Sequence, residues 1–363
     1  MFRLFAALLL LPTRVALRLV SWSYWSVTYG TCSITSCMVL VGMVWRTVFN
    51  PRKTLYWRVR RKPPACLEDP SLGSHYYIRM KNSGLRFHYV TAGDRGRPLM
   101  LFLHGFLEMW YSWRYQLREF KNEYCAVAID LRGCGDSDCP RRREDYKLGN
   151  LLEDVKDIIH TLGYRHCVLV GHDFGGMLAW HFAITYPEMV QQLVIINAPH
   201  PAFWQEYIFR HPTQLMKSSF AFFFQIPFLP EVVMTLEDFR VVKNLLTGQR
   251  FGIQNPSKRL TEQEVEAYLY SLSQQGRLTG PLNYYRNLFS SVPAKCQDVN
   301  VPCLLIWGER DMLFGMEVAK WSGAYVRNSF KFKVLPGSSR LVQQDYPDHV
   351  NTLVKTFLKQ TCK

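Results

Sequence analysis

The hexapeptide Gly171-His172-Asp173-Phe174-Gly175-Gly176 constrains this chain more than any other segment. It follows the apolar run Cys167 to Val170 and opens a helix-like stretch, Met177 to Val190, so Asp173 falls at a sharp strand-to-helix turn. Gly171 and Gly175, two residues before and two after, allow a turn tight enough to present the side chain in a strained, exposed pose. This is the pattern of a nucleophile elbow that carries aspartate. A carboxylate attacking an sp3 carbon forms an alkyl ester, so the expected chemistry is epoxide opening or halide displacement. The plain alternative is a Gly-rich turn with a capping Asp.

Further elements fit a sheet that would hold such an elbow. Leu85 to Val90, Leu99 to Leu103, Cys125 to Ile129, Cys167 to Val170, Leu193 to Ile196, Cys303 to Trp307 and Phe330 to Leu335 read as short buried strands. Helical periodicity covers Glu108 to Glu123, Leu151 to Thr161 and Met177 to Val190. The alternation predicts an α/β fold with a mostly parallel sheet, helices on both faces and ligands at the carboxyl ends of the strands. It breaks between residues 199 and 292, where no strand pattern appears and aromatics are dense, among them Phe203, Trp204, Phe209, Phe220 and Tyr285. That insertion reads as a helical lid, most of its rings packing lid against core.

At 363 residues the chain suits one large domain plus an appendage. The formal charge of +15 suggests nucleic acid until it is located: residues 1–62 carry ten Lys or Arg and no Asp or Glu, which leaves only +5 elsewhere. A basic cluster beside an apolar run fits anionic lipid headgroups better than a base-reading surface, so membrane lipid is the expected partner and nucleic acid is not.

Leu19 to Trp45 holds no charge and is flanked by arginines, long enough to cross a bilayer as a tilted helix. A cleaved signal peptide is the rival: Met1-Phe2-Arg3 and Leu4 to Leu11 resemble its first two regions, but no convincing small-residue cleavage site follows. The expected organisation is an N-terminal segment, 1–49, with a single-pass anchor at about 19–45 in the endoplasmic reticulum membrane. A basic, Pro-containing linker, 50–75, and a large α/β domain, 76–363, follow. Seven basic residues after the span would keep that domain cytosolic. Ten scattered cysteines show no zinc, haem or disulfide spacing and are expected to act as small apolar residues. No metal, nucleotide or flavin motif is visible, and no cofactor is expected.

Two further segments complete a constellation. His104-Gly105-Phe106-Leu107-Glu108 leaves the strand ending at Leu103 and should lie beside the elbow, making the Phe106 and Phe174 backbone N–H groups the natural oxyanion hole. Asp311, in Trp307-Gly308-Glu309-Arg310-Asp311, lies just past a strand end. It would orient a histidine, or simply form the turn.

With these residues assembled, the chain closely resembles the membrane-anchored epoxide hydrolases of the α/β-hydrolase superfamily, of the epoxide hydrolase 3/4 type. The resemblance runs from about residue 65 to 360. It is carried by His104-Gly105-Phe106, Trp110 to Gln116, Asp130-Leu131-Arg132-Gly133, Gly171-His172-Asp173 and Gly280-Pro281-Leu282-Asn283-Tyr284-Tyr285-Arg286-Asn287. It implies an α/β-hydrolase fold and an apolar small-molecule epoxide as substrate. It also implies Asp173 as nucleophile, Tyr285 as a lid hydroxyl donating to the epoxide oxygen, and Asp311 as the acid supporting the base.

The departures from the family pattern bear on the chemistry. Where the family places its histidine base, the stretch Gly337-Ser338-Ser339-Arg340-Leu341-Val342 carries arginine. A guanidinium has a pKa above about 12 and no lone pair to take a proton, so Arg340 does not activate water. His349, in the expected final helix Asp345 to Leu358, is poorly placed for the role. His and Arg codons can differ by one base, so a variant at this position stays an alternative. Phe220 falls on the first lid tyrosine and offers no hydroxyl. Leu107 replaces a proline that helps turn the oxyanion loop, often through a cis peptide, and its loop is expected to be trans and reshaped. Phe174 replaces a tryptophan whose indole holds halide in dehalogenating relatives.

Three functions follow from this pattern. The first is an epoxide hydrolase that alkylates Asp173 but is slow to release the ester. The second is a membrane-anchored pseudoenzyme whose pocket holds an apolar ligand or a partner, with Arg340 pairing to Asp173 and Asp311. The third, ester hydrolysis or dehalogenation, suffers from the absence of both serine and the halide-binding indole.

Overall fold

The computed structural model describes residues 11–203, 207, 211, 214, 217–288 and 297–361. Strands run β1 (Ser74–Arg79), β2 (Arg86–Ala92), β3 (Leu99–Leu103), β4 (Cys125–Ile129), β5 (Cys167–His172), β6 (Val190–Ile196), β7 (Cys303–Gly308) and β8 (Phe330–Leu335). They form one eight-stranded sheet in the order β1-β2-β4-β3-β5-β6-β7-β8. Pairings from β4 through β8 are parallel, and β1 and β2 join one edge antiparallel. Every residue of β3, β4, β5 and β7 is buried, which explains why these strands read as continuous apolar runs rather than alternations. The loops after β3, β5, β7 and β8 leave the same edge, at the crevice where ligands bind in open α/β sheets.

The strands expected from the apolar runs are present, with ends moved by a few residues. β1 is an addition. It starts at the end of the expected linker and runs into the expected domain, and only Ile78 of its six residues is buried in the pattern of an edge strand, so it offered no apolar signal. The helix expected over Glu108 to Glu123 is a short 3-10 turn, Trp110–Trp113, running into Arg114–Phe120. Helix Asp173–Thr185 begins at the elbow itself, earlier than its apolar periodicity indicated. The chain closes with helix Pro347–Thr361.

Between β6 and β7 the described residues are helical: Ser219–Phe223, Leu229–Thr247, Glu262–Ser273 and Thr279–Leu288. The rings of Trp204 and Phe209 lie outside the described residues. Helix Leu229–Thr247 is broken in its middle. Leu236 is extended, and Glu237, Asp238 and Phe239 follow with φ of 53°, 54° and 64°, a left-handed turn of three residues that all carry a Cβ. Each such residue costs roughly 1–2 kcal/mol, so the turn stands only because its surroundings hold it.

The N-terminal segment departs from expectation. Residues 11–49 form one helix of 39 residues, long enough to span a bilayer. Yet no helix among the described residues is long and apolar enough to cross a membrane. The reason lies in the sequence: serines, threonines and tyrosines are spread through residues 21–36, so the uncharged stretch 19–45 is never strongly apolar over a membrane's thickness. The anchor at 19–45 is therefore not supported, nor is the single-pass endoplasmic reticulum location built on it. The signal-like residues Met1 to Leu10 lie outside the described residues. The linker 50–75 is ordered, with a short helix Pro51–Thr54 and 3-10 turns Ala65–Leu67 and Pro70–Leu72.

Candidate active site

Asp173 stands at the end of β5 with φ of +51°, in the left-handed region that an elbow requires. The flanking glycines are there for space. A Cβ on Gly171 would lie 2.5 Å from the Gly175 carbonyl oxygen, and one on Gly175 would lie 2.3 Å from that of Leu103. Only bare backbone lets the helix start this close to the β3 loop.

That loop delivers the first partner. Gly105 N donates to Glu108 Oε2 at 2.8 Å, closing a tight turn in which Leu107 takes φ of +60°. No cis peptide bond occurs among the described residues, and the loop turns through a left-handed Leu107 in the trans form. The turn points Phe106 N–H at Asp173 Oδ2, 3.1 Å away. Phe174 N, the other expected oxyanion donor, is the next amide along from Asp173 at the start of the helix.

The other carboxylate oxygen is taken by Arg340. Its Nη2 donates to Asp173 Oδ1 in a very short bond, and its Nη1 donates to Asp311 Oδ2 at 2.7 Å. All three side chains are at most 10% exposed, so the pairing is little screened by water. Burial works against the guanidinium, but Asp173 and Asp311 hold it above its already high range, so it stays a cation. The Arg340 guanidinium carbon lies 4.8 Å from the Phe314 ring centroid, and its Nε has no hydrogen-bond partner among the described residues.

Asp311, expected either to orient a histidine or to form a turn, caps the turn after β7. Its Oδ1 accepts from Leu313 N and Phe314 N at 2.8 and 3.1 Å, while Oδ2 also accepts from Asn197 Nδ2 at 2.8 Å. Asn197 was not singled out in the sequence. It follows β6 with φ of +47° and accepts from Gly308 N, so it ties the ends of β6 and β7 together beneath Asp311. An Asn directly after a buried strand was the available signal.

Glu108 and His172 form a second pair that the sequence reading passed over. Their Oε2 and Nδ1 lie 2.7 Å apart, and His172 Nε2 lies 3.1 Å from the Arg340 carbonyl oxygen. Burial lowers the His172 pKa, but Glu108 more than offsets it, so the ring is held above its ordinary range and donates on both sides. The loop bearing Arg340 is fixed from below. Arg114 Nη1 donates to Gln344 Oε1 at 2.6 Å, Gln116 Nε2 donates to the Gln343 carbonyl, and Asp345 accepts from Ser339 N at 2.7 Å. His349 is exposed on the last helix, its ring against Tyr346, and does not reach the site.

Tyr285 comes from lid helix Thr279–Leu288 and packs edge-on against Phe106 at 4.9 Å and Phe220 at 5.6 Å. Burial, with the Asp173 carboxylate adding to it, pushes its phenol well above the usual value, so it stays a proton donor. Phe220 thus faces Tyr285 across the lid and brings no second hydroxyl. Asp173 also lines an open cleft walled by Leu107, Val242, Leu246, Phe251 and Met312, among others. Among the described residues no group of His, Cys, Asp or Glu could hold a metal ion, and the described cysteines whose pairing is known are free.

The α/β hydrolase fold family matches residues 98–343. The chain is 51% identical to epoxide hydrolase 4 of Mus musculus over 349 residues, covering 96% of this chain and 97% of that protein. The chain belongs to the epoxide hydrolases. It is also 48% identical to epoxide hydrolase 3 of Xenopus tropicalis, over 97% of this chain and 96% of that one. Among solved structures it is similar to the Bacillus megaterium epoxide hydrolase in complex with an inhibitor, with a TM-score of 0.71, 32% identity, and coverage of 78% of this chain and all of that one. By family, then, it is an epoxide hydrolase-like α/β hydrolase, and the expected fold is the observed one.

Proposed function

We propose that this epoxide hydrolase homologue is silenced at its nucleophile: the cleft over Asp173 receives an apolar epoxide or a ligand of that shape, and turnover is blocked. The observation that carries this reading is the Arg340 guanidinium bonded to Asp173 and Asp311 together. Alkylation of Asp173 would convert its carboxylate to a neutral ester and remove one partner of a buried cation. Breaking a buried pair costs about 3–5 kcal/mol, or roughly 10²- to 10⁴-fold in rate. Release of the ester would then lack a general base, a further loss of about 10²- to 10⁴-fold.

A weaker version of the same reading is favoured by two groups that remain in place. Tyr285 can still protonate the leaving alkoxide, and Phe106 N–H still faces the carboxylate. A strongly electrophilic epoxide would then alkylate Asp173 once and stall.

The test is intact-mass analysis of the full chain after incubation with trans-stilbene oxide, beside a diol assay and an Arg340→His variant. No adduct and no diol in the natural chain, with diol formed by Arg340→His, supports silencing. An adduct at Asp173 without diol supports the stalled ester. Steady diol from the natural chain would overturn both.

A further inference from the structure

Three features meet at the left-handed break of lid helix Leu229–Thr247. The first is the break itself, Glu237 to Phe239. The second is the segment preceding the catalytic domain. Tyr56 O accepts from Asp238 N at 2.8 Å, and Trp57 packs edge-on against Phe239. Arg60, which is 8% exposed, lays its guanidinium over the Phe239 ring. Its Nη1 and Nη2 donate to the two Asp238 oxygens at 2.9 and 2.8 Å, a bidentate fork, while Nε donates to Glu266 Oε2 at 2.8 Å. The Arg60 backbone is held as well, N donating to Ser273 Oγ and O accepting from Gln274 Nε2. Arg46 at the end of the long N-terminal helix reaches Glu237 at 3.2 Å. The third feature is the half of the helix beyond the break, which carries Val242, Leu245 and Leu246, the lid wall of the cleft over Asp173.

We infer that Arg60 is a positioning residue for the Asp173 cleft: it pins the left-handed break to helix Glu262–Ser273, and so sets where the Val242–Phe251 wall stands. The wall cannot move as a rigid body unless the break unwinds. The break is made of residues that do not favour its backbone, and the acids at its centre are paired both within the helix, by Arg240 and Lys243, and from outside the lid, by Arg46 and Arg60. The N-terminal segment therefore acts as a strap on the pocket, and a force or partner that peels Tyr56 to Arg60 away loosens the wall. This gives part of the basic excess of residues 1–62 a use inside the protein, since Arg46, Arg58 and Arg60 all pair with lid carboxylates. It lies outside the segment matched by the hydrolase family, which begins at residue 98.

Hydrogen–deuterium exchange on the full chain, natural and with Arg60→Ala or Arg60→Lys, tests this. In Arg60→Ala, amides of residues 239–251 are expected to exchange at least 10-fold faster, while those of helix Asp173–Thr185 are unchanged. Arg60→Lys keeps the charge without the fork and is expected to fall between. Trypsin cleavage at Arg240, Lys243 and Arg250 should accelerate in the same order, and trans-stilbene oxide should leave the cleft about 10-fold faster. Unchanged exchange in 239–251, or an equal rise through the sheet, would overturn the inference. The exchange measurement needs neither ligand nor turnover, so its outcome is separate from that of the silencing proposal.

Discussion

The Arg340 guanidinium bridges Asp173 and Asp311, two carboxylates delivered by different strand ends. In a hydrolase with histidine at this position, one of them attacks and the other orients the base. Here both serve as counter-ions to the same buried cation.

Arg340→Ala would leave both carboxylates buried without their cation. The expected loss is ~3–5 kcal/mol of folding free energy, read by chemical denaturation at neutral pH. In an Asp173→Asn background the same change should cost less, by about 1 kcal/mol or more, because one carboxylate no longer needs the cation. Equal costs in both backgrounds would mean that the two side chains are not energetically coupled.

Tyr285 and Phe220 face one another across the lid. In the Arg340→His variant, Tyr285→Phe is expected to slow epoxide opening by roughly 10²-fold, since it removes the proton donor. Phe220→Tyr should raise it. The Tyr285 phenol is held above its ordinary range, so the alkaline limb of that variant's rate profile should show no loss of this donor below about pH 10. Stopped-flow measurement of ester formation against pH reads all three effects.

His200 is fully buried, stacked on Tyr325 at 4.3 Å with Trp180 against its edge. Burial, with His181 adding to it, drives its pKa down to about 3, while the unfolded chain takes up the proton near 6.5. Below pH 6.5 the unfolded state therefore binds more protons, and stability should fall with falling pH by up to ~1.4 kcal/mol per unit from this residue. His200→Phe, which keeps the stacking, should flatten the acid side of the stability curve between pH 6 and 4. An unaltered slope would mean that the ring is already protonated in the folded protein.

Sequence by itself determined what depends on a few neighbouring residues. Gly171 and Gly175 announced the elbow because both lie within one turn of Asp173, and the apolar runs at β3, β4, β5 and β7 announced strands buried on both faces. The arginine at 340 could be read as the loss of a base from its chemistry alone. Tertiary structure decided the rest. β1 is an exposed edge strand whose pairing to β2 leaves no apolar pattern. One misreading was of the sequence itself: stretch 19–45 suggested a membrane span by its lack of charge, whereas crossing a bilayer depends on its summed hydropathy, which the same residues already carried. Arg340 lies 167 residues from Asp173 and Arg60 lies 178 from Asp238. Contacts at such separations carry no local periodicity, and only the packing of strand ends, lid and N-terminal segment fixes which carboxylate each arginine meets.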